Sequence, residues 1–394
     1  MAYYNPVRPA YIEDPYPSLA QLRRQEPVHH SPDLNGWVLT TYELCDRVLH
    51  DDAAFSSDPV HARGGMGDSV AAKRAAAPLG SAPILGNSDP PDHTRLRAIV
   101  NRAFVPRAMD ATRPAIEALA ARLLEPVGDD GLEVMSGLSE QLVIGSVLHH
   151  LGIPEADRPL FRECGSAIMR ARAEGAEAIP AAEVAYQRLE AMLERWQTEE
   201  SPEPGSVLGT LIEAAKAGER ITPGEMLMLL IHISLAGNGP TAYAIGNAVL
   251  HLAQNPEALS TLAADRGAIP AAVEELLRFD SATHVVARFA TAETKLGART
   301  IRPGETCFAV IGAANRDPAR FAEPDTLDIA RADNRHLSFG MASHFCLGAP
   351  LARMEMAIAI NALLDRYRVF RLKSMQRGGT FLLRGPAKVT ISKG

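Results

Sequence analysis

The chain has four cysteines in 394 residues (Cys45, Cys164, Cys307 and Cys346), and no two are spaced as a pair. That excludes a disulfide framework and points to a reducing compartment. It has no run of 18 apolar residues, and Met1 to Pro9 lack a hydrophobic signal core. A spanning helix and a secretory leader are therefore not expected, which predicts a cytoplasmic protein with no membrane partner. There is no long basic run, and 47 Asp and Glu against 40 Lys and Arg give a formal net charge of −7. Nucleic acid is excluded as the main partner on that ground. Internal repeats, low-complexity tracts and linkers are missing as well. What is present, 46% hydrophobic residues, suffices for a large core. These features predict a single domain over 1–394, with the Ala/Gly/Ser/Pro-rich stretch 61–87 as a long loop.

A coarse pass finds a β element at 28–41. Val28-His-His is followed by a turn at Asp33-Leu-Asn-Gly36 and by Trp37 to Thr41, and a short helix then runs through Leu44 and Val48. Residues 89–280 carry Ala, Leu, Glu and Arg at helical periods. A β-rich stretch at 294–311 turns at Pro303-Gly304, and a hairpin is predicted from Phe381-Leu-Leu and Lys388-Val-Thr-Ile391 within 380–392. The expected fold is mainly α with small β-sheets, its helix-rich lobe at 89–280 and 347–368. The longest helix starts at Thr222-Pro-Gly-Glu225, a capping-box pattern, and runs to Gln254 before Asn255-Pro256. At about 1.5 Å per residue it spans roughly 45–50 Å, the width of the molecule. Residues 226–235 are apolar almost all round, so this helix should be central and buried.

The densest chemical signal is His336-Leu-Ser-Phe339-Gly340-Met-Ala-Ser-His344-Phe-Cys346-Leu-Gly348-Ala-Pro350-Leu-Ala-Arg353. One cysteine closes a loop of small and aromatic residues just before a helix. N–H groups and the dipole at a helix start favour a thiolate, and a thiolate is a strong axial ligand for haem iron. The stretch resembles the haem-binding loop of cytochrome P450 enzymes, Phe-x-x-Gly-x-His/Arg-x-Cys-x-Gly. Phe339, His344, Cys346 and Gly348 match it, and Ala342 stands where the family usually has glycine. If that position needs a positive φ, alanine costs about 1 kcal/mol.

The resemblance implies the P450 fold, triangular and with its long central helix across a haem b held by the Cys346 thiolate. Glu275-Leu-Leu-Arg278 is similar to the family's Glu-x-x-Arg, and Asp328-Ile-Ala-Arg331 to the meander that completes its structural triad. Asp89-Pro-Pro-Asp-His93-Thr-Arg-Leu-Arg97 resembles the segment beside the haem, so His93, Arg97, Arg288 and His344 are implied partners of the propionates. The substrate pocket would draw on residues 61–84, His232, Leu235, Thr283, His284, Val285, Val286, Phe381 and Leu382. The implied activity is that of a bacterial monooxygenase of secondary metabolism, an iron oxidoreductase inserting one oxygen atom from O2 into a small lipophilic or aromatic molecule. The chain would act as a monomer, with electrons from a separate ferredoxin and ferredoxin reductase.

One segment departs from that pattern. Ala236-Gly-Asn-Gly-Pro-Thr241 aligns with the family's Ala-Gly-x-Asp/Glu-Thr-Thr/Ser, so Gly239 replaces the acid and Pro240 the alcohol. Of the polar cluster only Thr241 remains, with Asn238 beside it, and these two are the catalytic candidates. Pro240 lacks an N–H and is expected to open or kink the helix. Without the pair, reduced oxygen is open to loss as hydrogen peroxide. Three readings follow: monooxygenation with substrate or bound water supplying the missing hydrogen bonds, use of peroxide as oxidant, or oxidative coupling. A haem-binding protein without turnover is the competing class.

Overall fold

The computed structural model describes residues 4–6, 8–198 and 202–394. Most of them are helical, and the strands form three small sheets. The largest sheet runs in the order β1 (Val28–Ser31), β2 (Gly36–Leu39), β8 (Thr306–Val310), β5 (Val285–Ala290), β3 (Phe55–Ser56). Its β1–β2 hairpin sits where the Asn35-Gly36 turn signal places it, and β2 pairs in parallel with β8. A second sheet joins β4 (Leu132–Glu133), β10 (Arg384–Lys393) and β9 (Phe370–Gly379), and a third joins β6 (Thr294–Leu296) and β7 (Arg299–Ile301).

The central helix spans Pro223–Gln254. Thr222 Oγ1 accepts from the Glu225 N–H, and the Glu225 carboxylate accepts from the Thr222 N–H, closing the capping box. Met226 to Ile231 and Ala244 to Leu252 are buried, so both halves are sheathed by other elements. This is why the segment lacks an apolar stripe: it has no solvent side to keep polar. Contrary to expectation, Pro240 does not interrupt the helix, which continues through it. Its effect is local, since Pro240 has no N–H to offer the Ala236 carbonyl one turn back.

Two further expectations are corrected. Residues 61–87 are not one long loop, because Met66–Ala76 form a helix. Ala, Lys and Arg dominate its middle, and their helix propensity outweighs the flanking glycines. The late hairpin is displaced and longer. Its strands are β9 and β10, and residues 380–383 form the turn, with the Thr380 N–H donating to the Leu383 carbonyl at 2.7 Å. The short apolar run Phe381-Leu382 reads as strand but caps the hairpin. β5, falling outside the predicted 294–311 region, is recruited by pairing with β8. No helix among the described residues is long and apolar enough to cross a membrane.

The helix Ile269–Phe279 carries the Glu275–Arg278 pair in the core, both 0% exposed. Arg278 donates to both Glu275 oxygens at 2.8 Å, and Arg331 donates to Glu275 at 3.0 Å. The Asn334 amide and the Asp328 N–H complete the carboxylate's partners. Arg278 spends its remaining donors on the carbonyls of Asn315, Pro324 and Thr326. This network ties the helix to the 315–334 segment that leads into the cysteine loop.

Candidate active site

Between the central helix and the cysteine loop lies a cavity of about 340 Å³, counted as space open to the centre of a water molecule. Phe339, Gly340, Cys346, Leu347 and Gly348 form one part of its lining; Ala236, Gly237, Pro240, Thr241 and Ala244 form another. Arg97, Arg288 and His344 also line it. Residues more than 100 positions apart therefore share one chamber, apolar over most of its wall.

The cysteine loop is held by its own backbone. The Cys346 N–H donates to the Phe339 carbonyl at 2.8 Å, and the helix Ala349–Tyr367 starts three residues after the thiol. Gly348 and Ala349 direct their N–H groups at the sulfur, and Arg97 and Arg353 add positive charge. Burial works against these and prevails, leaving the thiol above its ordinary range. The helix start thus favours the thiolate as expected from sequence, but on its own does not outweigh the apolar surroundings. Ala342 sits at φ +54°, the left-handed region that glycine adopts without penalty. Replacing Ala342 with glycine should stabilise the protein by about 1 kcal/mol, read as a higher urea midpoint at unchanged slope.

Haem carries two propionates, which need cationic or N–H partners. Arg288 is buried, yet its only side-chain hydrogen bond among the described residues is to its neighbour's Ala287 carbonyl at 3.0 Å. Arg97 bonds neutral oxygens, Asn101 Oδ1 at 2.9 Å and the Phe345 carbonyl at 2.6 Å. Burial lowers the pKa of both guanidiniums, with no carboxylate in contact to oppose it. His93 stacks on His344 with ring centroids 4.1 Å apart, and its buried Nε2 has no partner. Burial holds both imidazoles toward the neutral form, His344 at about 4. Buried Arg288 and half-buried Arg97, neither in contact with a carboxylate, and an orphaned imidazole nitrogen, gathered beside a thiol, fit a flat bis-carboxylate cofactor bound through sulfur.

The remaining candidates divide. Thr241, His232 and Thr283 line the cavity. Asn238 does not, and its amide oxygen is buried without a partner. Leu235 is 38% exposed and also lies outside the lining. His284 and Val285 turn away. Alternation along β5 sends Val286 and Arg288 to the cavity, while Val285 packs into the core formed with Tyr11 and Val310. His284 Nε2 pairs with the Tyr11 hydroxyl at 3.2 Å, and burial pushes its pKa down to about 3. Phe381 stacks edge-on against Phe308 at 5.4 Å, and Leu382 is 46% exposed. Their neighbour Leu383 instead reaches the central helix, where a Cβ on Gly239 would meet its Cδ1 at 3.8 Å.

Of the expected segment Thr283 to Val286, both end residues line the cavity, whereas Phe104, His150 and Glu355 were missed by sequence reasoning. His150 and Glu355 lie on helices brought together only by packing, and nothing local marks them.

Comparison with known proteins agrees with this geometry. The cytochrome P450 family model matches residues 176–383, more than half of the chain. Cytochrome P450 107B1 of Saccharopolyspora erythraea is 31% identical, covering 98% of this chain and 96% of that protein. The 6-deoxyerythronolide B hydroxylase of the same organism is 34% identical over 91% of this chain and 90% of its own length. Among solved structures, epothilone D-bound cytochrome P450epoK superimposes with a TM-score of 0.88 at 28% identity, covering 99% of this chain and 98% of that one. A cysteine-walled chamber of the right chemistry and likeness along the whole length lead to one assignment: the chain belongs to the cytochrome P450 family, among its bacterial haem-thiolate monooxygenases.

Proposed function

We propose that this enzyme oxidises a small lipophilic molecule inside the bacterial cell, using O2 and electrons delivered by a separate ferredoxin and its reductase. The observation that carries the reading is the shared chamber, which puts Cys346 in one cavity with Thr241 and an otherwise apolar wall. Haem held by the Cys346 thiolate supplies dioxygen activation, with one oxygen atom going to the substrate and the other to water. Arg97 and Arg288 would hold the propionates and neutralise their charge, with His93 and His344 adding hydrogen bonds from neutral imidazoles. Replacing Arg288 with alanine removes a buried charge-assisted bond of about 1.5–3 kcal/mol, so haem loss to an acceptor protein should rise roughly tenfold or more.

Leu85, Ile233, Ala236 and Val286 present apolar surface to the substrate, while His232 and Thr283 offer it isolated hydrogen bonds. Burial lowers the His232 pKa to about 4, so its imidazole is neutral at pH 7. Among the described residues of the lining, no other arginine or lysine remains to hold a substrate carboxylate once Arg97 and Arg288 serve the cofactor. Neutral macrocyclic or polycyclic compounds are the favoured class, as in the relatives named epothilone C/D epoxidase and 6-deoxyerythronolide B hydroxylase. The Gly239-Pro240 site gives a second reading, peroxide as oxidant, its specific support.

The test has two stages. An optical titration of the ferric holoenzyme with neutral macrocycles, steroids and fatty acids should give a low-spin to high-spin shift with a neutral ligand. That ligand is then turned over with a ferredoxin, its reductase and NADPH, or with hydrogen peroxide alone. Product from the ferredoxin system supports the proposal, and product at useful rates only from peroxide establishes the second reading. No product from either, with a spin-shifting ligand bound, overturns both.

A further inference from the structure

Where the helix Glu140–Leu151 packs on the helix Ala349–Tyr367, three polar side chains lie in an apolar seam: Ser146, His150 and Glu355, each 3% exposed or less. His150 and Glu355 also line the cavity, as Thr241 does. Glu355 is the one carboxyl group among the described residues of that lining. Its position is unusual for an acid, since among the described residues no arginine, lysine or histidine forms an ion pair with it and Ser146 is its only hydrogen-bond partner.

The bonding of Ser146 indicates which form the acid takes. Its hydroxyl has two oxygen neighbours, the Val143 carbonyl at 3.0 Å and Glu355 Oε1, and a single proton to serve both. Ser146 is therefore a shared donor that cannot fully serve a Glu355 carboxylate while it also bonds the Val143 carbonyl, which leaves the charged form poorly satisfied. Burial acts in the same direction, raising the Glu355 pKa to about 8 against the modest opposing effect of Ser146. The other titratable groups in the lining are His150, His232, His344, Arg97, Arg288 and Cys346, and none contributes to that shift.

Resting on the monooxygenase reading, we propose that Glu355 is the proton donor of the active-site cavity, standing in for the acid that Gly239 lacks. Oxygen reduction consumes protons in a chamber to whose described lining the central helix contributes no acid. Glu355 is uncharged at pH 7, so it can be stored in an apolar wall without an ion-pair partner. In the step itself the Glu355 O–H bond breaks, water or the Thr241 hydroxyl takes that proton, and the same group gives up its own O–H proton to the oxygen being reduced. Glu355 becomes a carboxylate and no electrons move. Solvent then returns a proton, and His150, with its unpartnered Nε2 on the same wall, is placed to pass it on.

The proposal is tested on the ferric holoenzyme by infrared difference spectroscopy across pH, comparing wild type with Glu355→Gln. A carboxylic-acid carbonyl band present at pH 7, titrating near pH 8 and missing in the variant, is expected. Because Glu355 binds a proton in the folded protein that it has lost when unfolded, wild-type thermal stability should fall as pH rises from about 5 through 8. The variant should lack that decline. During turnover of a spin-shifting ligand, Glu355→Gln should lose about a hundredfold in product formation, with consumed oxygen released as peroxide. Wild-type product formation should fall as pH passes 8, with no such fall in the variant. If Glu355→Gln does not fold, Ser146→Ala keeps the acid and should move the band midpoint upward, since the Ser146 bond is what lowers it. A missing band at pH 7, an unmoved midpoint in Ser146→Ala, or wild-type coupling in Glu355→Gln overturns the proposal. Absence of product from wild type with ligand bound instead overturns the monooxygenase reading beneath it, while the infrared band still reports on the acid.

Discussion

Replacing Cys346 with serine is expected to abolish the thiolate-type absorption of the haem protein and reduce substrate oxidation to background. The argument is one of supply. The three other cysteines are free, buried and elsewhere: Cys45 and Cys307 in the core around the five-stranded sheet, Cys164 on the buried face of the helix Arg158–Glu174. Burial pushes the Cys307 thiol up to about 12 and Cys45 further still, so neither supplies a thiolate. Serine fits the same loop, because the Cys346 N–H anchors it to the Phe339 carbonyl and a hydroxyl can still accept from the Gly348 and Ala349 N–H groups. Folding should survive, and the reduced carbon monoxide complex should lose its thiolate signature. A serine variant that kept that signature would place the axial ligand on another residue.

Replacing Glu275 with alanine is the second large expectation, and here the loss is in the fold. Glu275 accepts from Arg278, Arg331, Asn334 and the Asp328 N–H with no exposure to water. Alanine would leave the Arg278 guanidinium buried among carbonyls without its counter-charge. Breaking a buried pair by removing one partner costs about 3–5 kcal/mol. Native proteins hold about 5–15 kcal/mol in total, so much of the stability would go. The expected readout is a large drop in urea midpoint, with haem content of the purified protein falling in step. A variant of wild-type stability would show that the carbonyl partners of Arg278 suffice to hold the charge.

How far the fold and site could be read in advance followed from the range of the interactions concerned. The central helix was legible to the residue, because its capping box and terminal Asn-Pro are local devices that act wherever the chain places them. The cysteine loop was legible because thiol ligation needs a few residue types at fixed offsets. The hairpin of β9 and β10 was misplaced because Phe381-Leu382 is apolar enough for a strand, while the pairing of Arg384 with Gly379 closes the turn around it. His284 and Val285 were misassigned for a simpler reason. Which face of β5 meets the cavity depends on its register with β8, and a shift of one residue exchanges the two sets.

Sequence alone thus determined the helix-rich class, the buried central helix, Cys346 and its loop, and the departure at Gly239-Pro240. Each is carried by neighbours along the chain, where spacing and residue chemistry are sufficient. Only the tertiary structure decided which candidates meet in one chamber, that Asn238 and Leu235 fall outside its lining, and that Glu355 enters it beside Ser146. The physical reason is that burial raises the pKa of an acid and lowers that of an imidazole. Burial is a property of packing between distant segments, which no short stretch of sequence contains.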